Sequence, residues 1–250
     1  MVTISDPNGT EHVYRDIIKE DPDDLYFLKI INEFAPYTMT VSRGFEPAYS
    51  LYKTVEYLVK NDVPGDFVEC GVWQGGSIIL VALALAHFGD TSRKIYLYDT
   101  FEGMTQPGLQ DVDWDGTNLK NKWDEDGQTE NDGHRWGYGG SVERVQQTVY
   151  ATNYPKDNFI FVKGPVEETI PSTVPDKIAL LRLDTDWYAS TYHELVHLYP
   201  LLVAGGMLII DDYGWCRGAR QATDQYIEEN KLNLYLGRVD ESVRHAVKRS

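Results

Sequence analysis

The stretch Asp66-Phe-Val-Glu-Cys-Gly-Val-Trp-Gln-Gly-Gly-Ser77 decides the fold. Its first half is a short apolar run, its second half is rich in glycine, and an apolar segment, Ser77–Phe88, follows directly. That order predicts a strand that runs through a tight turn into a helix. Glycine there lets backbone approach a ligand and leaves the first helical N–H groups facing it. Working outward, the same alternation repeats. KIYLYDT (94–100), FIFVKG (159–164), IALLRLD (178–184) and GGMLIID (205–211) read as four more strands. Helices are expected at Ser141–Val149, Thr191–Val203 and Ala219–Asn230. LYLGRV (234–239) and HAVKR (245–249) add two last strands. Strands of continuous apolar residues are those covered by helices on both faces. The fold class is therefore α/β, a doubly wound, mostly parallel seven-stranded sheet with right-handed crossovers. In such a sheet ligands bind beyond the carboxyl ends of the strands.

The whole chain, 1–250, reads as one domain with two additions. Residues 1–60 form an N-terminal helical cap, with helices expected at Asp23–Phe34 and Phe45–Lys60 before Pro64-Gly65. Residues 103–140 interrupt the rhythm, and a long insertion of this kind predicts a lid. Its Trp114, Trp123, Trp136, Tyr138 and His134 argue against a solvated linker. The plainer alternative is a surface excursion whose aromatics pack on a neighbouring helix.

Composition bounds the function. The 250 residues are 42% hydrophobic, enough for a sizeable core, and the net charge is -16. No basic stripe offers itself to nucleic acid. No apolar run is long enough to span a membrane. The two cysteines, Cys70 and Cys216, form no disulfide framework or zinc site. Cys70 falls in a buried strand and reads as a small core residue. The N-terminus lacks the basic and apolar regions of a secretory leader, which sets a cytoplasmic expectation.

Three sets of residues carry chemistry. The first is the turn itself, with Glu69, Gly71, Gly75 and Ser77. The dinucleotide fingerprint needs a glycine where this chain has Trp73, and a tryptophan would obstruct a pyrophosphate. The loop therefore suits a nucleoside without one. Ser77 can meet a small anion such as a carboxylate at the helix start, and Glu69 can attract a cationic head. Otherwise the segment is only a tight strand-to-helix turn. The second is Asp99, at the end of the next strand, where a carboxylate typically accepts from ribose hydroxyls. A turn-forming aspartate, or confusion with Glu102, is the alternative. The third comprises Asp184, Asp211 and Asp212, at the ends of two strands about 4.8 Å apart if they are neighbours. Carboxylates that close repel unless a cation or protons compensate. Hard oxygen donors suit Mg²⁺ better than zinc. A single aspartate there would often be only a helix cap. Asp186 is open among ligand, base and cap. His193 and His197 lie on one helix face without a metal motif, whereas His134 in the insertion is a candidate catalytic residue.

DFVECGVWQGGS, LYDTFEGM, VKGPVEETIP, LLRLDTDWYAST, LYPLLVAGGMLIIDDYG and RGARQATDQY together resemble the TylF/MycF/NovP-type (macrocin) sugar O-methyltransferases. APYTMTVSRGFEPAYSLYKTVEYL fits as well, so the likeness spans roughly residues 35 to 230. The resemblance implies a class I methyltransferase fold, S-adenosylmethionine as donor, and Mg²⁺ held by Asp184, Asp211 and Asp212. It also implies the methionine end of the donor near Glu69, Gly71 and Ser77, and the ribose on Asp99. The adenine would then sit near Gly164, Val166 and Glu167. A homodimer or higher homo-oligomer and a glycoside or sugar acceptor are implied too. Catechol O-methyltransferase, more distantly similar, has a lysine base three residues after the first metal aspartate, where this chain has Trp187. The proton acceptor is therefore expected to be Asp184 or, failing it, Asp186. Two rival readings are an NAD(P)-dependent oxidoreductase, which Trp73 opposes, and a donor-binding module without catalysis, which the clustered carboxylates oppose.

Overall fold

The computed structural model describes residues 2–5, 9, 11–14, 21–42, 44–126 and 136–249. An antiparallel hairpin of β1 (Val2–Ser5) and β2 (Glu11–Tyr14) comes first. It was not expected from a polar N-terminus, although alternating Val-Thr-Ile and His-Val-Tyr flank a Pro-Asn-Gly turn signal. Helix α1 (Pro22–Phe34) follows. Asp21 caps it by accepting from the Asp23 and Asp24 N–H groups, and Pro22 occupies its first position. Helix α2 (Glu46–Lys60) packs beside it through the aromatics Phe27, Phe45, Tyr49 and Tyr52.

Then the expected alternation appears. The strands are β3 (Asp66–Cys70), β4 (Ile95–Asp99), β5 (Phe159–Lys163), β6 (Ile178–Leu183) and β7 (Leu202–Ile210). The short β8 (Gly237–Arg238) and β9 (Arg244–Val247) close the chain. The sheet has seven strands in the order β5-β4-β3-β6-β7-β9-β8, with β8 and β9 antiparallel to their neighbours and the rest parallel. After β3 the chain builds outward through β4 and β5, then returns to place β6 on the other flank of β3. The switch point lies between β3 and β6.

Helices cover both faces. Helix α3 (Gly76–His87) and α5 (Val142–Tyr150) join α1 and α2 on one side, around Phe67, Leu97, Leu180 and Ile209. Helix α3 is apolar all round and buried from Gly76 to Leu85, because it lies between the sheet and the N-terminal helices. The short α6 (Val166–Thr169), α7 (Tyr188–Leu198) and α8 (Arg217–Glu229) cover the other side, around Val68, Leu181, Leu195 and Leu208. Helix α7 starts three residues earlier than its apolar periodicity predicts, because its start is fixed by tertiary hydrogen bonds rather than by a side-chain cap. Among the described residues, no helix is long and apolar enough to cross a membrane.

The insertion is less loop-like than expected. It contains α4 (Leu119–Asp126), and its Asp113 forms a bridge with Cys216 at the start of α8. Trp123 is buried and meets Trp136 edge-on, whereas Trp114 is exposed. His134 lies outside the described residues.

Candidate active site

The carboxyl ends of β3, β4, β6 and β7 surround a cavity of about 430 Å³, a volume in the usual range for small-molecule sites. Its floor is the glycine turn. Gly71 has a φ of 82°, and a Cβ there would lie 1.9 Å from the Asp184 carbonyl oxygen. Only glycine therefore lets the ends of β3 and β6 come together. Gly75 has a φ of 88° and precedes α3, but it faces Val145 and Val149 of α5 rather than the cavity. Ser77, in the first turn of α3, does line the cavity.

Asp99 is the clamp of this turn. Its Oδ2 accepts from the Val72 and Trp73 N–H groups at 2.7 and 3.0 Å, and its Oδ1 from Phe101 at 2.6 Å. Burial raises its pKa, and these three backbone donors oppose the rise. Trp73 adopts a left-handed φ of 49° and lines the cavity. Gly164, Val166 and Glu167 form the wall after β5, tied to the clamp by the Gly164 N–H on the Asp99 carbonyl. Glu102 points elsewhere, to Lys163.

Opposite the turn is an acidic rim. Strands β6 and β7 are neighbours, with Leu183 opposite Ile210, so Asp184 and Asp211 leave the sheet side by side. Ligand atoms of Asp184, Asp186 and Asp212 lie within 4.8 Å of one another. Of the expected metal set, Asp184 and Asp212 fall in this trio, with Asp186 beside them. Asp211 Oδ1 accepts from Arg182 Nη2 at 2.5 Å. Arg182, Asp184 and Asp211 sit on one face of the paired strands and Asp212 on the other, which brings Asp211 to the Arg182 guanidinium. Asp186 reaches the rim through a left-handed φ of 66°.

Burial drives the carboxyls of Asp184 and Asp212 well above the usual range, with Arg182 opposing in both. Asp186 is pushed up to about 7, first by burial, against a hydrogen bond with Asp212 and with the charges of Asp184 and Asp211 adding to the rise. Asp212 Oδ2 is buried without a hydrogen-bond partner among the described residues. Crowded hard oxygens and an orphaned buried acceptor fit a divalent cation such as Mg²⁺.

Residues 33–246 match the family described as macrocin-O-methyltransferase (TylF). The chain belongs to that family. It is 34% identical over 178 residues to the 8-demethyl-8-(2,3-dimethoxy-alpha-L-rhamnosyl)-tetracenomycin-C 4'-O-methyltransferase of Streptomyces olivaceus, covering 70% of this chain and 64% of that protein. It is 30% identical over 188 residues to the demethyldecarbamoylnovobiocin O-methyltransferase of Streptomyces niveus, covering 73% and 66%. The matches thus span slightly under two thirds of these two relatives. The structure of the O-methyltransferase NovP superposes with a TM-score of 0.71 at 27% identity, over 89% of this chain and 88% of that one. The resemblance read from the motifs and the mostly parallel α/β sheet are both borne out.

Within this TylF-family site, two groups escaped the reading of the sequence. Arg182 is 3% exposed and donates to Glu69, to Asp184 at 2.6 Å and to Asp211. An arginine inside the apolar run IALLRLD was the available signal, because a buried charge demands partners. Glu69, expected to meet a cationic ligand, does not line the cavity. It sits opposite Arg182 across β3 and β6, and burial pushes its carboxyl up to about 7 despite that partner. The second group is the strap Tyr37–Ser42, where Thr38 and Thr40 bring their hydroxyls to Ser77 at 3.5 and 3.3 Å. No local pattern announces a contact between residues this far apart in the chain. Trp187 donates its indole N–H to the Thr105 carbonyl, so it anchors the insertion.

Proposed function

We propose that this chain is an S-adenosylmethionine-dependent O-methyltransferase that acts on a sugar hydroxyl of a glycosylated natural product. The observation that carries the reading is the pairing, in one cavity, of a glycine turn clamped by Asp99 with an acidic rim at the switch point. Family membership and a relative whose name carries a rhamnosyl group support the acceptor class. A TylF-family homodimer or higher oligomer belongs to the same reading.

In this reading Gly71, Ser77 and the helix start receive the methionine end of the donor, with Thr38 and Thr40 beside them. Asp99 faces the ribose, and Gly164, Val166 and Glu167 border the base. The bound donor supplies a sulfonium methyl group, whose carbon–sulfur electron pair stays on sulfur. Asp184 and Asp212 would hold Mg²⁺, since that ion commonly uses one or two carboxylates and keeps waters. The ion supplies positive charge that lowers the pKa of a neighbouring hydroxyl. Asp186 takes the proton from the acceptor hydroxyl. It suits the task better than Asp184, because its carboxyl lies near 7 and Arg182 does not hold it. His134 remains a candidate for contact with the acceptor. The remaining catalysis is alignment of oxygen, methyl and sulfur, with the described residues of the insertion beside the cavity, Met104 and Thr105 among them, helping to keep water from the reaction.

A radiolabelled methyl-transfer assay on a panel of glycosides tests this, with and without chelator. Transfer should require a free sugar hydroxyl and cease in chelator. Asp184→Ala should abolish transfer while calorimetry still detects donor binding. Undiminished turnover in chelator refutes the cation, and absence of donor binding in the unaltered chain refutes the donor.

A further inference from the structure

Helix α7 carries a buried acid for which the chemistry just described has no use. Glu194 is 0% exposed, lies in the second turn of that helix, and does not line the cavity. Its Oε1 accepts from Thr185 Oγ1 at 2.9 Å, and its Oε2 has no hydrogen-bond partner among the described residues. The thiol of Cys70, at the end of β3, lies against the same carboxyl. A polar group taken fully out of water is costly, so its one hydroxyl partner marks where it acts.

That partner stands between two carboxylates of the rim. Thr185 separates Asp184 from Asp186, and its carbonyl is engaged as well as its hydroxyl. The carbonyl accepts from the Trp187 N–H at 2.8 Å and from Ser190 Oγ at 3.4 Å. The first of these bonds closes a three-residue turn over Asp186, whose φ is 66°. A positive φ belongs to the rarer, strained hand of such a turn. A residue other than glycine keeps it only where the surroundings hold it there. The hydroxyl bond ties this turn to the second turn of α7, one full turn deeper than Ser190 reaches.

We propose that Glu194 is a positioning residue for the proton acceptor: through the Thr185 hydroxyl it holds the strained turn that brings Asp186 to the rim. The inference rests on the reading of Asp186 given above and adds the support behind it.

Three variants of the whole chain test it. Thr185→Val keeps the side-chain shape and removes the hydroxyl, Glu194→Ala removes the acceptor, and Glu194→Gln keeps an acceptor oxygen. On whichever glycoside the panel assay shows to be methylated, kcat should fall about 10- to 100-fold in Thr185→Val and in Glu194→Ala, with donor affinity within about threefold. Glu194→Gln should keep kcat within about threefold of the unaltered chain. The double variant Thr185→Val/Glu194→Ala should be no slower than either single one, because both remove the same interaction. Losses that multiply in the double variant, an unaltered kcat in Thr185→Val, or donor affinity falling in parallel with kcat would each overturn the proposal. If Glu194→Ala does not fold, Thr185→Val and Glu194→Gln carry the test.

Crystal structures of those two variants decide the geometry without any acceptor. In Thr185→Val, Asp186 should leave its left-handed φ or its carboxylate should leave Asp184 and Asp212; in Glu194→Gln both should stay. An Asp186 that does not move in Thr185→Val overturns the proposal. Full turnover in Asp186→Asn removes the acceptor role and the inference with it, whereas a chain that methylates no glycoside leaves the crystals to decide.

Discussion

The two halves of the cavity are built on opposite principles. In the glycine turn, polar groups answer one another: Asp99 meets three backbone N–H groups, and Gly71 closes against the Asp184 carbonyl. In the acidic rim, like charges crowd together, burial raises their pKa values, and Asp212 Oδ2 has no partner among the described residues. The turn is stable as it stands, whereas the rim keeps more acids together than the one guanidinium of Arg182 compensates. Binding surfaces that must hold a ligand gain from the first arrangement; groups that must react gain from the second.

The sharpest way to break this contrast is Asp186→Asn. It removes the proposed proton acceptor and should lower kcat about a thousandfold. It should also raise the melting temperature of the metal-free chain, since one buried acid leaves a repulsive cluster. Calorimetric melting in chelator beside a methyl-transfer assay checks both, and a loss of stability would erase the distinction between the halves.

Asp99→Asn probes the other half with a smaller effect. An amide nitrogen cannot accept, so one side of the clamp opens and buried N–H groups lose their partner. Stability should fall by about 1–3 kcal/mol and donor binding should weaken with it, roughly tenfold or more. Donor calorimetry and thermal melting should move together here, and a variant that loses kcat alone would place Asp99 with the reacting groups.

The smallest effect is a pH slope. Glu69 and Asp186 both lie near 7 when folded, above the ordinary carboxylate value near 4. The folded chain then holds more protons than the unfolded one between about pH 4 and 7, so stability is lost as pH rises through that window. Metal-free melting temperature should rise by a few degrees from pH 8 to pH 5.5, and Glu69→Gln should flatten part of the slope. A flat profile in chelator would mean that these carboxyls stay ionised, and the rim would not be strained.

Much of this was legible in the sequence because it is local. Five continuous apolar runs mark buried parallel strands, and the glycine turn and the terminal aspartates follow from position on those strands. What stayed hidden depends on side-chain direction or distant contact. That Asp186 joins Asp184 and Asp212 turns on a left-handed φ at Asp186, and that Asp211 meets Arg182 turns on the face of the sheet they share. The strap hydroxyls of Thr38 and Thr40 approach Ser77 only after α1, α2 and α3 have packed. The hairpin at the N-terminus was missed for a plainer reason, since two four-residue strands make a weak signal beside a polar composition.

Asp111 is 1% exposed, and its Oδ1 accepts from the Tyr188 N–H at 2.8 Å, one residue past the Trp187 whose indole holds Thr105. The insertion therefore grips the Trp187 indole and the Tyr188 backbone, just beyond Asp186. Remodelling this wall to admit a bulkier guest would also tug on the reactive carboxylate. Acceptor range and turnover in this chain are mechanically wired to the same few residues, and swapping the segment from a relative should transplant both traits or neither.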